Sequence, residues 1–218
     1  MTDKIITFHE YLRVRDTVLT MLEKRGFDPK YINRDVDEDT LSVQFDASIK
    51  EKKYLSSCIY IPKSNNDNYE NRQALVYFIL NDKATYNSEL KIINKLIGTY
   101  NIGDIDDIVV IVGHNNIGED SSFYKLEEKF SNLVVFHYKN LSFDISEHRL
   151  VPLHIKIKNE DEKNIIKKEL NIDSLNKLPV LLKNDAIARF YHYRRGDLIK
   201  IERPSFGSYK HIVYRIVL

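Results

Sequence analysis

A single cysteine, no tryptophan, seven glycines and five prolines stand among 218 residues. One thiol, Cys58, cannot close an internal disulfide, so the reducing side of a cell is expected. The few glycines include no phosphate-cradling spacing: Ile102-Gly103-Asp104 and Val112-Gly113-His114 fit neither GxGxxG nor GxxxxGK, which excludes nucleotide binding by that route. Long apolar runs are also missing. ALVYFIL and IVVIVG are the longest, far below the roughly 18 residues of a membrane span. The opening MTDKIITFHEYLRVRD places charges where a secretion signal needs its apolar stretch. A soluble chain with no membrane partner is expected.

Charge of one sign is absent overall, with 33 Lys+Arg against 32 Asp+Glu, yet the two parts of the chain differ. Residues 1–145 carry 18 basic and 23 acidic side chains, net −5, whereas residues 146–218 carry 15 and 9, net +6. Two domains with that boundary are expected, and the 43% hydrophobic content suffices for their cores. An acidic first domain excludes gripping nucleic acid by bulk field, because that affinity scales with phosphates neutralised by Lys and Arg.

In the first domain, Phe8, Tyr11, Leu12, Val18, Leu19 and Leu22 recur at helical spacing and Gly26 stands where a C-terminal cap belongs. Three strands are expected next: around Leu41, Val43 and Phe45, which alternate with polar residues, then in YLSSCIYIP, then in ALVYFIL. The polar connection Ser64 to Arg72 lacks periodicity and is expected in solvent, with no chemistry. Helix NSELKIINKLIGTY, strand DIVVIVG, helix EDSSFYKLEEKF and strand NLVVFHY complete the domain. Fully apolar strands imply a sheet covered on both faces, which the two flanking helices can supply. The class is α/β, in the order α-β3-α-β-α-β, which is the core order of restriction-endonuclease-like domains.

The second domain opens with an apolar segment from Leu150 to Ile157. A helix follows, capped by Asn159, with Glu160, Asp161 and Glu162 in its first turn, ending near Asn171. A short helical region runs from Pro179 through LLKNDAIARFYHY, and strands DLIKIER and HIVYRIVL are joined by PSFGSYK. The result is a small α+β unit. Within Arg194-Arg195-Gly196-Asp197, Gly196 is expected to supply a left-handed turn.

Catalytic chemistry finds little purchase. His148 and His154 are too far apart to match a zinc-site spacing and no thiolate pair joins them, so no metal is expected and local hydrogen bonding is the simpler role. Cys58, in an apolar run with no evident base, reads as a small buried thiol. A metal-dependent nuclease would need an acid plus (D/E)-x-K beside a strand, and Asp46 with Glu51 and Lys53 is the available set. Similar triplets at Glu89-Leu90-Lys91 and Glu127-Glu128-Lys129 show how readily the pattern arises by chance. No catalytic residue and no cofactor are expected.

Four segments in the second domain carry a resemblance: HRLVPLH at 148–154, LPVL at 178–181, ARFYHYRRGDLIKI at 188–201 and RPSFGSYKHIVYRIV at 203–217. In this order they resemble the fifth-largest subunit shared by the eukaryotic nuclear RNA polymerases, whose assembly domain has a small archaeal RNA polymerase subunit as its counterpart. More loosely, RDTVLTMLEKRGF at 15–27 resembles the first helix of the eukaryotic protein's jaw domain, through Thr17, Val18, Met21, Arg25, Gly26 and Phe27. Departures occur at Asp185-Ala186, where the family has Asp-Pro, and at Tyr209-Lys210-His211, where it has Gly-Arg-Tyr. Gly118-Glu119-Asp120-Ser121 replaces the family's T-P-S-A element near downstream DNA, and two carboxylates there would repel phosphate unless they cap the next helix.

The resemblance implies a non-catalytic subunit of a DNA-directed RNA polymerase. Its partners would be the largest subunit, the rest of the assembly and, in the assembled enzyme, downstream duplex DNA. His148, Pro152, His154, Arg194, Arg195, Gly196, Tyr214 and Arg215 would form the subunit interface, and Asn115, Asn116 and Gly118 the DNA-proximal loop. Lys outnumbers Arg 22 to 11, as in AT-rich genomes. The compartment would be the nucleus for a cellular protein, and host cytoplasm or virion for a viral one. The competing functions are the metal-dependent nuclease and a free-standing transcription factor.

Overall fold

A computed structural model describes residues 6–50, 58–80, 84–113, 122–204 and 210–218. The chain divides into two compact units, Met1–Phe143 and Asp144–Leu218.

In the first unit, helix α1 (Phe8–Lys24) starts at a capping box, with Thr7 and Glu10 satisfying each other's backbone amides. It stops at Gly26, whose φ of +92° is the left-handed value a Schellman end needs. The Gly26 amide donates to the Glu23 carbonyl and the Phe27 amide to that of Leu22. Next comes α2 (Glu38–Lys50), which overturns the expected first strand. Asp37 accepts from the Asp39 amide at 2.8 Å, Glu38 and Asp39 occupy the first turn, and Leu41, Phe45 and Ser48 turn inward at helical spacing while Val43 is 70% exposed. The alternation of Leu41, Val43 and Phe45 is thus compatible with a helix, because Leu41 and Phe45 are also one turn apart.

Strands β1 (Cys58–Ile61), β2 (Ala74–Ile79), β3 (Asp107–Val112) and β4 (Leu133–His137) form one sheet in that order. β1 runs antiparallel to β2, and β2, β3 and β4 are parallel. Every residue of β2, β3 and β4 is buried. The crossovers contain α3 (Tyr86–Tyr100) and α4 (Lys125–Lys129). Ile93, Leu96 and Leu126 from these helices join Leu75, Tyr77, Ile108, Val110, Leu133 and Val135 in one cluster, so both helices cover the same face. The opposite face receives α1, where Tyr11 meets Phe78 edge-on at 5.1 Å, and α1 in turn meets α2 through Tyr11 and Phe45 at 5.2 Å. The expectation that the two flanking helices cover opposite faces is therefore corrected.

The polar connection before β2 is also more than a solvated loop. Ser64 donates to Asp28 at 2.6 Å, the Glu70 amide donates to the Gly26 carbonyl at 2.9 Å, and Arg72 pairs with Asp107. Asp107 also holds Arg25 at 3.0 Å, both side chains being fully enclosed. Beside it, Asp106 accepts from the Gln73 backbone amide at 2.9 Å. The connection ties the end of α1 to the start of β3.

The second unit carries β5 (Leu153–Ile157), α5 (Glu160–Glu169), β6 (Val180–Leu181), α6 (Ala186–Tyr191), β7 (Leu198–Pro204) and β8 (Lys210–Val217). Asn159 caps α5 and Asn171, at φ +51°, lies just past its end, as the sequence suggested. Val180 and Leu181 form a strand paired parallel to β8, so the expected helical region after Pro179 is confined to α6. The sheet order is β5-β7-β8-β6.

Candidate subunit interface

Two opposed faces of this sheet are built by alternation along β7 and β8. On one, Leu198 and Ile216 pack with Ile157, with Ile166 of α5 and with Leu178. On the other, Ile199, Ile201 and Val217 pack with Leu181, with Ala188 of α6 and with Tyr193. The register pairs His154 with Ile201 and Ile201 with Val213, then Ile199 with Arg215 and Arg203 with His211. His154, Arg203, His211, Val213 and Arg215 therefore belong to the face that α6 covers only in part.

The residues expected at an interface fall in four places. Pro152, His154 and Arg215 gather at this incompletely covered face. His154 Nδ1 lies 2.8 Å from the Pro152 carbonyl oxygen, which can only accept, so Nδ1 carries the proton. Burial lowers the His154 pKa, the Pro152 contact and Asp185 partly offset this, and Arg203 and Arg215 push it down further. Arg215 lies across β8 and its Nη1 donates to the Val180 carbonyl at 3.1 Å.

Arg194, Arg195 and Gly196 form a turn at the start of β7. The Asp197 amide donates to the Arg194 carbonyl at 3.0 Å, and Gly196 has φ +87°, the positive value required at the third position of a type II turn. Asp197 returns a carboxylate to the Arg194 amide at 2.8 Å and binds Lys156 at 2.8 Å, while the Gly196 amide reaches the Val217 carbonyl. The turn thus presents exposed Arg195 from a fixed base. Tyr214 instead packs on the α5 side, against the cluster of Ile157, Ile166 and Leu198. His148 is exposed and accepts from the Leu150 amide at Nδ1, 3.3 Å.

Asn115, Asn116 and Gly118 lie outside the described residues, as does the Glu119-Asp120-Ser121 segment. Of the nuclease set, Glu51 and Lys53 lie outside them too, and Asp46 sits exposed on α2 instead of on a strand. Among the described residues no three His, Cys, Asp or Glu side chains cluster to hold a metal ion, and no helix is long and apolar enough to cross a membrane. Cys58 is partly buried on β1 and its thiol is pushed up to about 12 by burial, which disfavours the thiolate a nucleophile needs. Arg203, His211 and Val213 were not singled out from sequence. The signal for them was the period of two that continues from Ile199 and Ile201 to Arg203.

The second unit is the part of the chain that defines a class: residues 143–217 match the family model described as RNA polymerase Rpb5, C-terminal domain. Over the whole length the chain is 28% identical to the Caenorhabditis elegans protein named DNA-directed RNA polymerases I, II, and III subunit RPABC1, with all of both chains covered. The Dictyostelium discoideum protein of the same name is 34% identical over 90 residues, 41% of this chain and 45% of that protein. A viral protein is similar as well: 454R of Invertebrate iridescent virus 6, whose name proposes it as a DNA-directed RNA polymerase subunit, is 36% identical over 95 residues, 39% of this chain and 52% of its own. The chain resembles the fifth-largest subunit shared by the nuclear RNA polymerases, and its relatives include a viral one.

Proposed function

We propose that this protein is a non-catalytic subunit of a multisubunit DNA-directed RNA polymerase. The C-terminal unit docks on the largest subunit, and the N-terminal unit forms the lower jaw beside downstream DNA. The observation that carries this reading is a coincidence of boundaries: the Rpb5 C-terminal match, residues 143–217, falls on the compact unit Asp144–Leu218. The full-length similarity to an RPABC1 protein extends it to the N-terminal unit. The charge of the two parts supports the division of labour, since residues 146–218, with net charge +6, suit an acidic partner surface and an acidic first part avoids trapping DNA. Arg194, Arg195 and Gly196, with His148, Pro152, His154, Tyr214 and Arg215, are assigned to docking and its support. Asn115, Asn116 and Gly118 are assigned to the DNA side. The compartment follows the polymerase: the nucleus for a cellular source, host cytoplasm or virion for a viral one.

Cosedimentation with polymerase subunits in a gradient of native lysate tests the reading directly. Comigration with the largest subunit supports it, and migration as a free chain contradicts it. Photocrosslinking of downstream DNA to the assembled enzyme tests the jaw. An unchanged crosslink after substitution of Asn115, Asn116 and Gly118 removes those residues from the DNA side.

A further inference from the structure

The carboxylates and arginines of the second unit are unevenly used. Glu202 accepts from Lys200 and Lys210, each at 2.9 Å, Asp197 takes Lys156, Glu160 takes Lys163 and Asp173 takes Lys177. Asp185 is spent capping α6. These five lysines thus have acidic partners, whereas Arg203 and Arg215 pair with no carboxylate among the described residues. Arg215 Nε is shielded from solvent without a hydrogen-bond acceptor there, a costly state for a guanidinium N–H. Both arginines lie on the sheet face that α6 leaves open, around His154 and Val213 and next to Pro152. With its proton fixed on Nδ1 toward Pro152, neutral His154 offers Nε2 as an acceptor.

Resting on the docking reading above, we propose that this face receives an acidic, partly apolar segment of a partner protein. Arg203 and Arg215 hold its carboxylates, His154 Nε2 accepts a hydrogen bond from it, and Pro152 and Val213 meet an apolar side chain. Arginine's planar fork matches a carboxylate bidentately. A nucleic-acid backbone fits less well, because it favours an extended strip of unneutralised cations and the nearby lysines are already paired.

The test uses the full chain and a short fluorescent peptide alternating Glu and Leu, with a Lys and Leu peptide and a single-stranded oligodeoxythymidylate as comparisons. The acidic peptide binds best, and Arg203→Glu with Arg215→Glu weakens it at least about tenfold, roughly 1.4 kcal/mol. Replacing both by Lys restores the charge without the fork and recovers only part of the affinity. Arg203 is exposed, so Arg203→Glu alone reports even where a change at Arg215 disturbs the sheet. Unaltered peptide binding by the variants, or preferred binding of the oligonucleotide, overturns the assignment. Wild-type copurification of the doubly reversed chain with the polymerase also overturns it while leaving docking intact. Failure of the unaltered chain to copurify overturns docking itself.

Discussion

At the scale of single residues, the buried ion cluster at the start of β3 is the most consequential feature of the first unit. Asp107 pairs with both Arg25, which is fully enclosed with it, and the partly exposed Arg72, which also lies over the Phe27 ring at 5.0 Å. Asp107→Asn removes the shared anion, and a loss of about 3–5 kcal/mol is expected in chemical denaturation because the fully enclosed Arg25 loses this carboxylate, while Arg72 keeps Glu70 at 3.5 Å. Glu89 makes a second prediction. Its carboxyl is buried in α3 and accepts from the Tyr77 hydroxyl at 2.7 Å, and burial raises its pKa despite hydrogen bonds from Tyr77 and Ser88 that oppose the shift. A carboxyl with a folded pKa above its unfolded one binds more protons in the folded state, so its contribution is fully present below the unfolded pKa and is lost as pH rises through the folded one. Stability curves for the unaltered chain and Glu89→Gln should therefore converge at low pH and separate in favour of Gln as pH rises. Parallel curves would contradict this role.

At the scale of elements, much of the architecture was readable where local chemistry is decisive. Gly26 and Gly196 adopt positive φ at the two turns expected of them, and Asn159 caps the helix it precedes. The apolar runs at 74–80 and 108–112 are central strands for the reason that suggested them, burial on both faces. α2 does not follow from the alternation of Leu41, Val43 and Phe45, because five residues cannot separate a strand from one helical turn; the distinguishing signal is the cap at Asp37, with Glu38 and Asp39 after it. The pairing of Arg25 with Asp107 lies beyond any local pattern, the partners being 82 positions apart. The open face around His154 and Arg215 likewise depends on the register of three strands. Substitution separates helix from strand at α2: Val43→Lys should change stability by less than about 0.5 kcal/mol, while Phe45→Ala should cost about 3 kcal/mol or more. In a strand with one buried face both positions would be sensitive, and a large loss for Val43→Lys would argue for that arrangement.

At the scale of the whole molecule, the acidic first unit and the basic second unit point to different neighbours. Arg195 stands exposed on a turn braced by Asp197 and Lys156, so its substitution alters surface charge with little effect on the fold. Arg195→Glu should reduce incorporation into polymerase in competition with the unaltered chain, by about tenfold if one charge-assisted contact is replaced by repulsion. Equal incorporation would free Arg195 from docking. A supercoiled plasmid incubated with the purified chain and magnesium or manganese should remain unnicked. Nicking that disappears in Asp46→Ala would revive the nuclease reading.

The most direct measurement is affinity purification of the tagged full chain from its native source, followed by quantitative mass spectrometry. Recovery of the two largest polymerase subunits in amounts comparable to the tagged chain is the predicted result. Recovery of the chain without them would contradict a role as a polymerase subunit and leave its C-terminal similarity as a mark of ancestry alone.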